Sequence, residues 1–256
     1  MEYALLQAVL IAAAIGVASG SIGAFVVLER LALAGDALSH VALPGIALAL
    51  AYGVDPFFGA LVFLIIAAAV VWYLRTKTKL PTDALIGILF TASLAVGILT
   101  IPDREIIESL FGEFPNLPSL FLVFIVALAF GFAFLVFRFT KQFAFRNISR
   151  ELAQASKIGE RYELLLLVFF AVIVALGIKL VGTLLMGALT IIPALAARNI
   201  AHSMRGYIII STVLGGLIAT IGIITANAYS FLPGPTIVLF GIMVFLISLV
   251  VRARKS

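Results

Sequence analysis

The sequence lacks cysteine and is poor in charged residues. None of its 256 residues is a cysteine, which excludes a disulfide, a thiolate metal site and a thiol nucleophile. Asp, Glu, Lys and Arg together make up 11% of the chain, whereas a typical soluble domain has about 25%. This scarcity of charge excludes an ordinary soluble globular domain.

Apolar residues are correspondingly abundant. They make up 64% of the sequence, and the mean hydropathy is +1.26. Apolar runs of about 20 residues, the length that crosses a bilayer as a helix, recur from one end to the other. The composition therefore predicts an all-α, polytopic integral membrane protein in which residues 1–256 form a single transmembrane domain.

Charged residues and prolines divide the apolar runs into nine predicted transmembrane segments. Their approximate bounds are 3–28, 30–53, 56–74, 82–101, 118–138, 162–178, 180–198, 206–228 and 234–251. The segment 30–53 is irregular because it contains polar residues and a proline. Eight spans are therefore the alternative, if this segment or a neighbour does not fully cross the membrane.

Basic residues predict the orientation of the chain. They form four clusters that fall on one side if the nine segments alternate: Arg75, Lys77 and Lys79; Arg138, Lys141, Arg146, Arg150, Lys157 and Arg161; Arg198 and Arg205; and Arg252, Arg254 and Lys255. Basic loops face the cytoplasm, and the acidic loop 102–117 falls on the other side. We therefore expect a cytoplasmic C-terminus and, with nine spans, an external N-terminus. The net charge of +5 has the same origin and does not indicate a nucleic-acid partner.

The acidic external loop contains a helical pattern. Apolar residues recur at helical spacing over 103–114, opposite Glu105, Glu108 and Glu113. This arrangement is typical of a short amphipathic helix lying on the outer membrane surface. Such a helix either is a plain interfacial element or offers a ledge on which an external partner docks.

A second short helix is predicted in the cytoplasmic stretch 147–161. Asn147 or Ser149 can cap its start, and Gly159 can stop it. Its shared apolar face consists of Ile148, Leu152 and Ala155. A helix of this kind between two spans either docks a soluble partner or simply covers the membrane surface.

The sequence has no motif that indicates an enzyme. It contains no GxxxxGK[ST] phosphate-binding loop, so the chain cannot hydrolyse ATP by that route. It also contains no GxSxG nucleophile elbow. An intramembrane aspartyl protease needs two carboxylates, and Asp36 is alone among the well-buried positions. His202 follows Arg198 at the cytoplasmic edge, where a surface role is expected.

The stretch ERLALAGDALSHVALPGIALALAYG, residues 29–53, holds the polar groups that a lipid-buried helix should avoid. Asp36 and His40 are one helical turn apart and project from the same face, with Ser39 close to it. An Asp in the middle of a span costs about 2.5–3.5 kcal/mol on insertion, and such residues usually line a pathway or pair internally. A local Asp–His hydrogen bond that merely neutralises both groups is the alternative.

Pro44 adds a third potential ligand to this face, the main-chain oxygen of His40. Proline has no N–H, so it cannot bond the carbonyl oxygen of residue i−4, which is His40. A carboxylate, an imidazole and a main-chain oxygen on one helical face suit a divalent first-row metal ion. The sequence therefore predicts a metal site at Asp36 and His40.

A single chain supplies too few side chains for a stable metal site. Two copies around a twofold axis would supply two Asp and two His, which suits Mn²⁺, Zn²⁺ or Fe²⁺. The site thus favours a homodimer, in which small residues would let the backbones approach: Ala32, Gly35, Ala42 and Gly45. A transport path fits better than a structural metal, because structural sites are closed and well supported by surrounding polar groups.

Several stretches resemble one family. GSIGAFVVLERLALAGDALSHVALPGIALA, which contains Asp36 and His40, resembles the signature region of the zinc, manganese and iron permeases of ATP-binding-cassette (ABC) importers, the ABC-3 type, with its GDALSHAVLPG run. KLVGTLLMGALTIIPALAARNIA at 179–201 resembles that family's VGxLLxxALLIIPAATAR. LPGPTIVL at 232–239 resembles its SGPTIVL, and ESLFGEF at 108–114 corresponds to its YLFGN-type segment. The resemblance covers essentially the whole chain.

The resemblance implies a fold, partners and site residues. The fold would be all-helical, similar in arrangement to the vitamin B12 and siderophore importers, and the permease would work as a homodimer. A separate cytoplasmic ATPase subunit would use the ATP, and an extracellular or periplasmic metal-binding protein would deliver the metal. Asp36 and His40 match the pathway residues of the family. The coupling helix that contacts the ATPase would correspond to about 149–159, with Ser149, Leu152, Ala153, Ala155 and Gly159.

The chain departs from the family pattern at two places. Glu29 stands in ERLA where RRMS is usual, which puts a negative charge near the cytoplasmic mouth; it either attracts an exiting cation or pairs with Arg30. MGALTIIPALAAR lacks hydroxyls of the usual run but keeps Pro193, which lacks the N–H that would bond the carbonyl of Leu189. Leu189, Thr190 and Pro193 are therefore pathway candidates of second rank, together with Ser39 and Pro44.

The sequence thus predicts the multi-pass permease subunit of a divalent-metal importer in the cell membrane of a prokaryote. The chain would hold no permanent cofactor, and the metal would be its cargo. The alternative is a stand-alone ion-coupled transporter or a cation channel. A permease for metal chelates is disfavoured, because its wide cavity would not place two ionisable groups so close together. Asp and His serve zinc, manganese and iron alike, so the residues do not select among them.

Overall fold

Nine α-helices make up nearly all of the part of the chain that the structure, a computed structural model, describes. That part comprises residues 2–78, 82–100, 110–112, 118–143 and 158–254. The helices are α1 (Glu2–Leu28), α2 (Ala32–Ala51), α3 (Pro56–Lys77), α4 (Thr82–Thr100), α5 (Ser119–Arg138), α6 (Ile158–Val181), α7 (Thr183–Ile200), α8 (Met204–Tyr229) and α9 (Pro233–Ala253). The predicted all-α membrane fold is confirmed, and each predicted span corresponds to one helix.

Six of these helices are long and apolar enough to cross a membrane: α1, α3, α5, α6, α8 and α9. The apolar parts of α2, α4 and α7 are shorter, at Ala37–Ala51, Ala84–Thr100 and Leu185–Ile200. Large apolar side chains face outward, and Leu99, Leu120 and Leu239 are 85%, 85% and 67% exposed. Such exposure would be unfavourable in water and suits a surface surrounded by lipid.

Local hydrogen bonds end the first two helices in the same way. After α1, the Leu31 N–H bonds the Val26 carbonyl at 2.9 Å, and Arg30 adopts a left-handed φ of 60°. After α2, the Val54 N–H bonds the Ala49 carbonyl at 2.8 Å, with Gly53 at φ 67°. This is the Schellman arrangement, which satisfies carbonyl groups at a helix end and normally uses glycine. Arginine there costs about 1–2 kcal/mol, and only three residues separate α1 from α2.

Helix α1 forms the centre of the bundle. It packs most extensively against α8 and also contacts α5, α6 and α7. At the α1–α8 contact the backbones touch at glycine: a Cβ on Gly16 would meet the carbonyl oxygen of Gly215 and would lie 2.8 Å from the Cβ of Ala219. One turn further along, the Ser211 hydroxyl donates to the Gly20 carbonyl at 2.6 Å. Small residues and a hydrogen bond thus bind the two helices, as is typical within membranes.

The helices α2, α3 and α4 form a second group. A Cβ on Gly45 of α2 would meet the carbonyl oxygen of Gly59 of α3, so these two helices also pack backbone against backbone. Helix α4 packs mainly on α2, with a smaller contact to α3. It therefore lies at the edge of the described bundle and covers one side of α2.

Two of the predicted basic clusters lie at one end of the bundle. The Arg252 guanidinium donates to the Asn199 side chain at 3.1 Å, and Asn199 in turn donates to the Ser248 hydroxyl at 2.9 Å. At the same end, the Tyr207 hydroxyl donates to the Ala24 carbonyl at 3.1 Å. The ends of α1, α7 and α9 and the start of α8 thus meet. This agrees with the predicted common side, while the side of the membrane itself stays a prediction.

Parts of both predicted loop helices fall outside the described residues. For the external helix 103–114 the structure describes 110–112 alone, and for the cytoplasmic helix 149–159 it does not describe Ser149, Leu152, Ala153 or Ala155. The predicted stop at Gly159 is wrong, because Gly159 lies in the first turn of α6. Glycine is tolerated within helices as well as beyond their ends, and the described part of α6 already includes Gly159, before the predicted span at 162–178.

Close packing at Gly16 predicts a specific sensitivity to one added methyl group. We expect Gly16→Ala to destabilise the protein by about 1–3 kcal/mol, as overpacking does, and to lower the midpoint of thermal unfolding in detergent by several degrees. Gly131→Ala is the matched control, since a Cβ on Gly131 meets nothing within 4 Å. It should leave the midpoint unchanged or raise it, because alanine favours a helix by about 1 kcal/mol. Equal midpoints for both variants would contradict the backbone contact between α1 and α8.

Candidate metal site

Helix α2 carries the predicted site. It runs without a break from Ala32 to Ala51, so Asp36 and His40 lie one turn apart on it, as the spacing predicts. His40 is 4% exposed and Ser39 is fully buried. An imidazole is therefore held inside the bundle on the same helix as a carboxylate residue that lies one turn earlier.

The imidazole of His40 contacts an aromatic ring of α4. The ring centroids of His40 and Phe90 are 5.0 Å apart, and the planes meet at 70°, which is an edge-on contact. Further along the same two helices, Leu43 lies directly against Gly97. Leu43 and Ala47 also form a small apolar cluster with Leu94 of α4. Helix α4 therefore covers the His40 side of α2.

Pro44 does not interrupt α2. The helix continues through Pro44 to Ala51, and the tight contact of Gly45 with Gly59 follows at the next residue. Pro44 has no N–H to offer to the main-chain oxygen of His40, so any partner of that oxygen must be another group. The described packing thus holds the proline-containing turn firmly against α3.

The second-rank candidates of α7 lie at a different contact. Thr190 is fully buried, its hydroxyl donates to the Met186 carbonyl at 3.1 Å, and its own carbonyl oxygen abuts Gly23 of α1. Leu189 is buried, and Pro193 lies within an unbroken α7. The structure places Thr190 in the packing of α7 on α1, and α7 also packs against α2. A role of these residues in a metal path stays a prediction.

A complete metal site is not assembled by the described side chains alone. Among them, which exclude that of Asp36, no group of three or more His, Cys, Asp or Glu residues could hold a metal ion. At the end of the bundle where α7 ends, His202 lines an open pocket with Arg198 and Tyr207, next to the turn between α7 and α8. This agrees with the surface role expected of His202.

Parts of three stretches that resemble the family, at 108–114, 179–201 and 232–239, meet at the opposite end of the bundle. The segment 110–112 contacts the turn between α6 and α7 in both directions: a Cβ on Gly112 would meet the Leu180 carbonyl, and a Cβ on Gly182 would meet the Leu110 carbonyl. At the start of α9, a Cβ on Gly234 would meet the carbonyl oxygens of Val181 and Phe111. Gly112 and Gly182 also have left-handed φ values of 74° and 84°, which side chains disfavour. These glycines fasten the segment 110–112 to the turn between α6 and α7 and to the start of α9.

Phe90 and this junction of glycines could not be predicted from the sequence. Phe90 belongs to no motif, and a phenylalanine in an apolar helix is ordinary, so no local signal singles it out. The glycines lie in three stretches separated by about seventy and fifty residues along the printed sequence. Only a long-range contact reveals that they belong together.

The position of α4 over α2 can be tested directly, because the natural chain has no cysteine. A Cβ on Gly97 would lie 2.7 Å from that of Leu43, so a shift of about 1 Å between the two helices reaches the Cβ–Cβ spacing of about 3.5–4.5 Å in disulfides. We expect Leu43→Cys with Gly97→Cys to form a disulfide within the chain under mild oxidation, detected as loss of maleimide labelling. Leu43→Cys with Ala92→Cys is the control, because Ala92 is exposed on α4 and should stay labelled. Labelling of both pairs alike would contradict this placement of α4.

Comparison with known proteins relates the whole chain to one family. A family model described as "ABC 3 transport family" matches residues 1–252. The manganese import system permease protein ScaB of Streptococcus gordonii is 29% identical, over 97% of this chain and 91% of its own length. The high-affinity zinc uptake system membrane protein ZnuB of Haemophilus influenzae is 32% identical, over 98% of each. The solved structure of PsaBC from Streptococcus pneumoniae in complex with Fab has a TM-score of 0.80 and 30% identity, over 95% of this chain and 90% of that one.

Proposed function

The chain belongs to the ABC 3 transport family, and we propose that it is the membrane-spanning permease subunit of an ABC importer for a divalent transition metal. One observation carries this proposal: a carboxylate residue and a buried imidazole lie one turn apart on a helix of a multi-pass membrane protein. Ionisable groups in that setting usually serve a transport path. Relatives that span nearly the whole chain are named for manganese import and for zinc uptake. We therefore propose manganese or zinc as the cargo, with iron as a third candidate.

Asp36 and His40 would bind the metal transiently. A carboxylate oxygen and an imidazole nitrogen suit Mn²⁺ and Zn²⁺ alike, and the His40 carbonyl could contribute a further oxygen because Pro44 cannot bond it. A transported ion must be bound strongly enough to enter and weakly enough to leave.

A second copy of the chain would complete the site. Two copies around a twofold axis would bring two Asp36 and two His40 side chains to one ion. In a single chain His40 is covered by α4, with Phe90 against its ring. For both imidazoles to reach a shared ion, this cover has to open.

The energy for import would come from a separate ATPase subunit. The chain contains no phosphate-binding loop, and its family is one of transport proteins. The cytoplasmic stretch 149–159 would contact the ATPase, with the basic clusters and the C-terminus on the same side. An external metal-binding protein would deliver the ion from the opposite side. The assembly would lie in the cell membrane of a prokaryote.

Substitution of the two proposed ligands tests the site. We expect Asp36→Asn or His40→Ala to reduce metal uptake at least about 100-fold, since each removes a ligand from a set that is already small. Radioactive Mn²⁺ and Zn²⁺ uptake by cells that express the whole importer would measure this. Co-purification with the ATPase should be unchanged.

The chain offers a matched control for each ligand. His202→Ala removes the second of its two histidines, at the exposed turn after α7. Asp55→Asn changes a carboxylate that caps α3 by accepting from the Phe57 N–H at 2.9 Å, a bond that asparagine can keep. Both controls should transport normally. Wild-type uptake by both ligand variants would refute the pathway assignment.

The source of energy separates an importer from a stand-alone transporter. We expect liposomes that contain the chain together with its ATPase partner to accumulate Mn²⁺ when ATP and the loaded binding protein are supplied, because the chain itself lacks a nucleotide-binding motif. Liposomes with the chain alone should accumulate none, with or without a proton or sodium gradient. Accumulation that follows such a gradient without the ATPase would support the ion-coupled alternative instead.

A further inference from the structure

We propose that Phe90 of α4 is a positioning residue that holds the imidazole of His40 in the orientation needed to bind the transported metal. This inference rests on the proposed function, because it assigns a role within the same site. Neither the signature stretches of the sequence nor the spacing of its polar residues points to Phe90. The structure does, because it places this ring against the candidate metal ligand.

The contact itself has a favourable aromatic geometry. The centroid separation of 5.0 Å and the interplanar angle of 70° fall in the range where an edge-on aromatic pair adds stability beyond that of its buried area. His40 is 4% exposed, so the pair is shielded and its orientation is well defined. The edge-on arrangement is lost if either ring turns substantially.

A histidine ligand needs such a constraint. The torsion that turns the imidazole about its Cβ–Cγ bond has broad minima, so the side chain alone does not fix the direction of its nitrogen atoms. Polar groups around a metal site usually fix that direction through hydrogen bonds. An aromatic ring also restricts the torsion, but it adds no ligand to the ion. This suits a site that has to release its metal.

Other apolar contacts also join α2 and α4 at this interface. Leu43 lies against Gly97, and Leu43 and Ala47 cluster with Leu94, which is one turn beyond Phe90 on α4. These apolar contacts set the separation and register of α2 and α4, and they lie further along both helices than the His40–Phe90 pair. They therefore provide a control for general packing at the same interface.

The test compares metal binding by variants of the full chain. The chain, assembled with its ATPase partner in lipid nanodiscs, is titrated with Mn²⁺, and free Mn²⁺ is followed by electron paramagnetic resonance. We expect Phe90→Leu, which keeps most of the apolar bulk but lacks the ring, to raise the dissociation constant about 3- to 10-fold. Phe90→Tyr keeps the ring and should stay within about twofold of wild type.

Leu94→Ala is the matched packing control. It removes more apolar bulk than Phe90→Leu, from the same face of α4, and should lower thermal stability while leaving the dissociation constant within about twofold of wild type. Two outcomes overturn the inference. Either Phe90→Leu binds Mn²⁺ with the dissociation constant of wild type, or the dissociation constant rises equally in Phe90→Leu and Leu94→Ala. Phe90→Leu is the principal variant because it preserves folding better than Phe90→Ala, and co-purification with the ATPase verifies its assembly.

The same titration distinguishes failure of this inference from failure of the proposed function. If wild type binds Mn²⁺ and His40→Ala does not, the metal site stands and the Phe90 variants alone decide the inference. If wild type and His40→Ala bind Mn²⁺ equally, His40 is not a ligand, and the proposed site and the role of Phe90 are both refuted.

Discussion

The structure depends on the close approach of helix backbones at glycine. Within lipid, apolar side chains gain little from leaving the solvent, so helices associate through tight packing and hydrogen bonds between them. Gly16 against Gly215 and Gly45 against Gly59 provide such contacts, and the Ser211 hydroxyl strengthens the first of them by bonding Gly20. These contacts hold α1 on α8 and α2 on α3. The second contact therefore determines where the candidate site on α2 lies relative to α3.

The two sides of α2 differ in how firmly they are held. On one side the Gly45 backbone touches α3, where no side chain separates the two helices. On the other side α4 contacts α2 through side chains, with Leu43 against Gly97 and His40 against Phe90. Helix α4 has most of its packing on α2 and faces outward elsewhere. His40 thus lies on the side of α2 that α4 covers, while the backbone contact with α3 lies on the other side.

The sequence predicted the helices well and their mutual contacts poorly. Length of an apolar run, prolines and flanking charges are local signals, so the spans at 3–28 and 118–138 agree with the helices to within one residue at each end. The Asp36–His40 register could also be predicted, because it depends only on the helical repeat. The edge-on contact of Phe90 could not, since it depends on which face of α4 meets α2. Gly159 illustrates an ambiguous local signal. Glycine is common just beyond helix ends but also occurs inside helices, and here it lies inside one.

The proposed metal site has to be weak and yet stay buried in a membrane protein. A buried imidazole beside a carboxylate residue is costly unless the groups have partners, and a site rich in fixed polar partners would bind a metal too tightly to release it. Aromatic and aliphatic contacts resolve this conflict, because they restrict a ligand's orientation without competing for its nitrogen atoms. Phe90 supplies such a contact from a helix that has few other attachments among the described helices. In the proposed transporter, a small displacement of α4 would therefore change the orientation of His40 directly, while the glycine contacts keep α2 on α3.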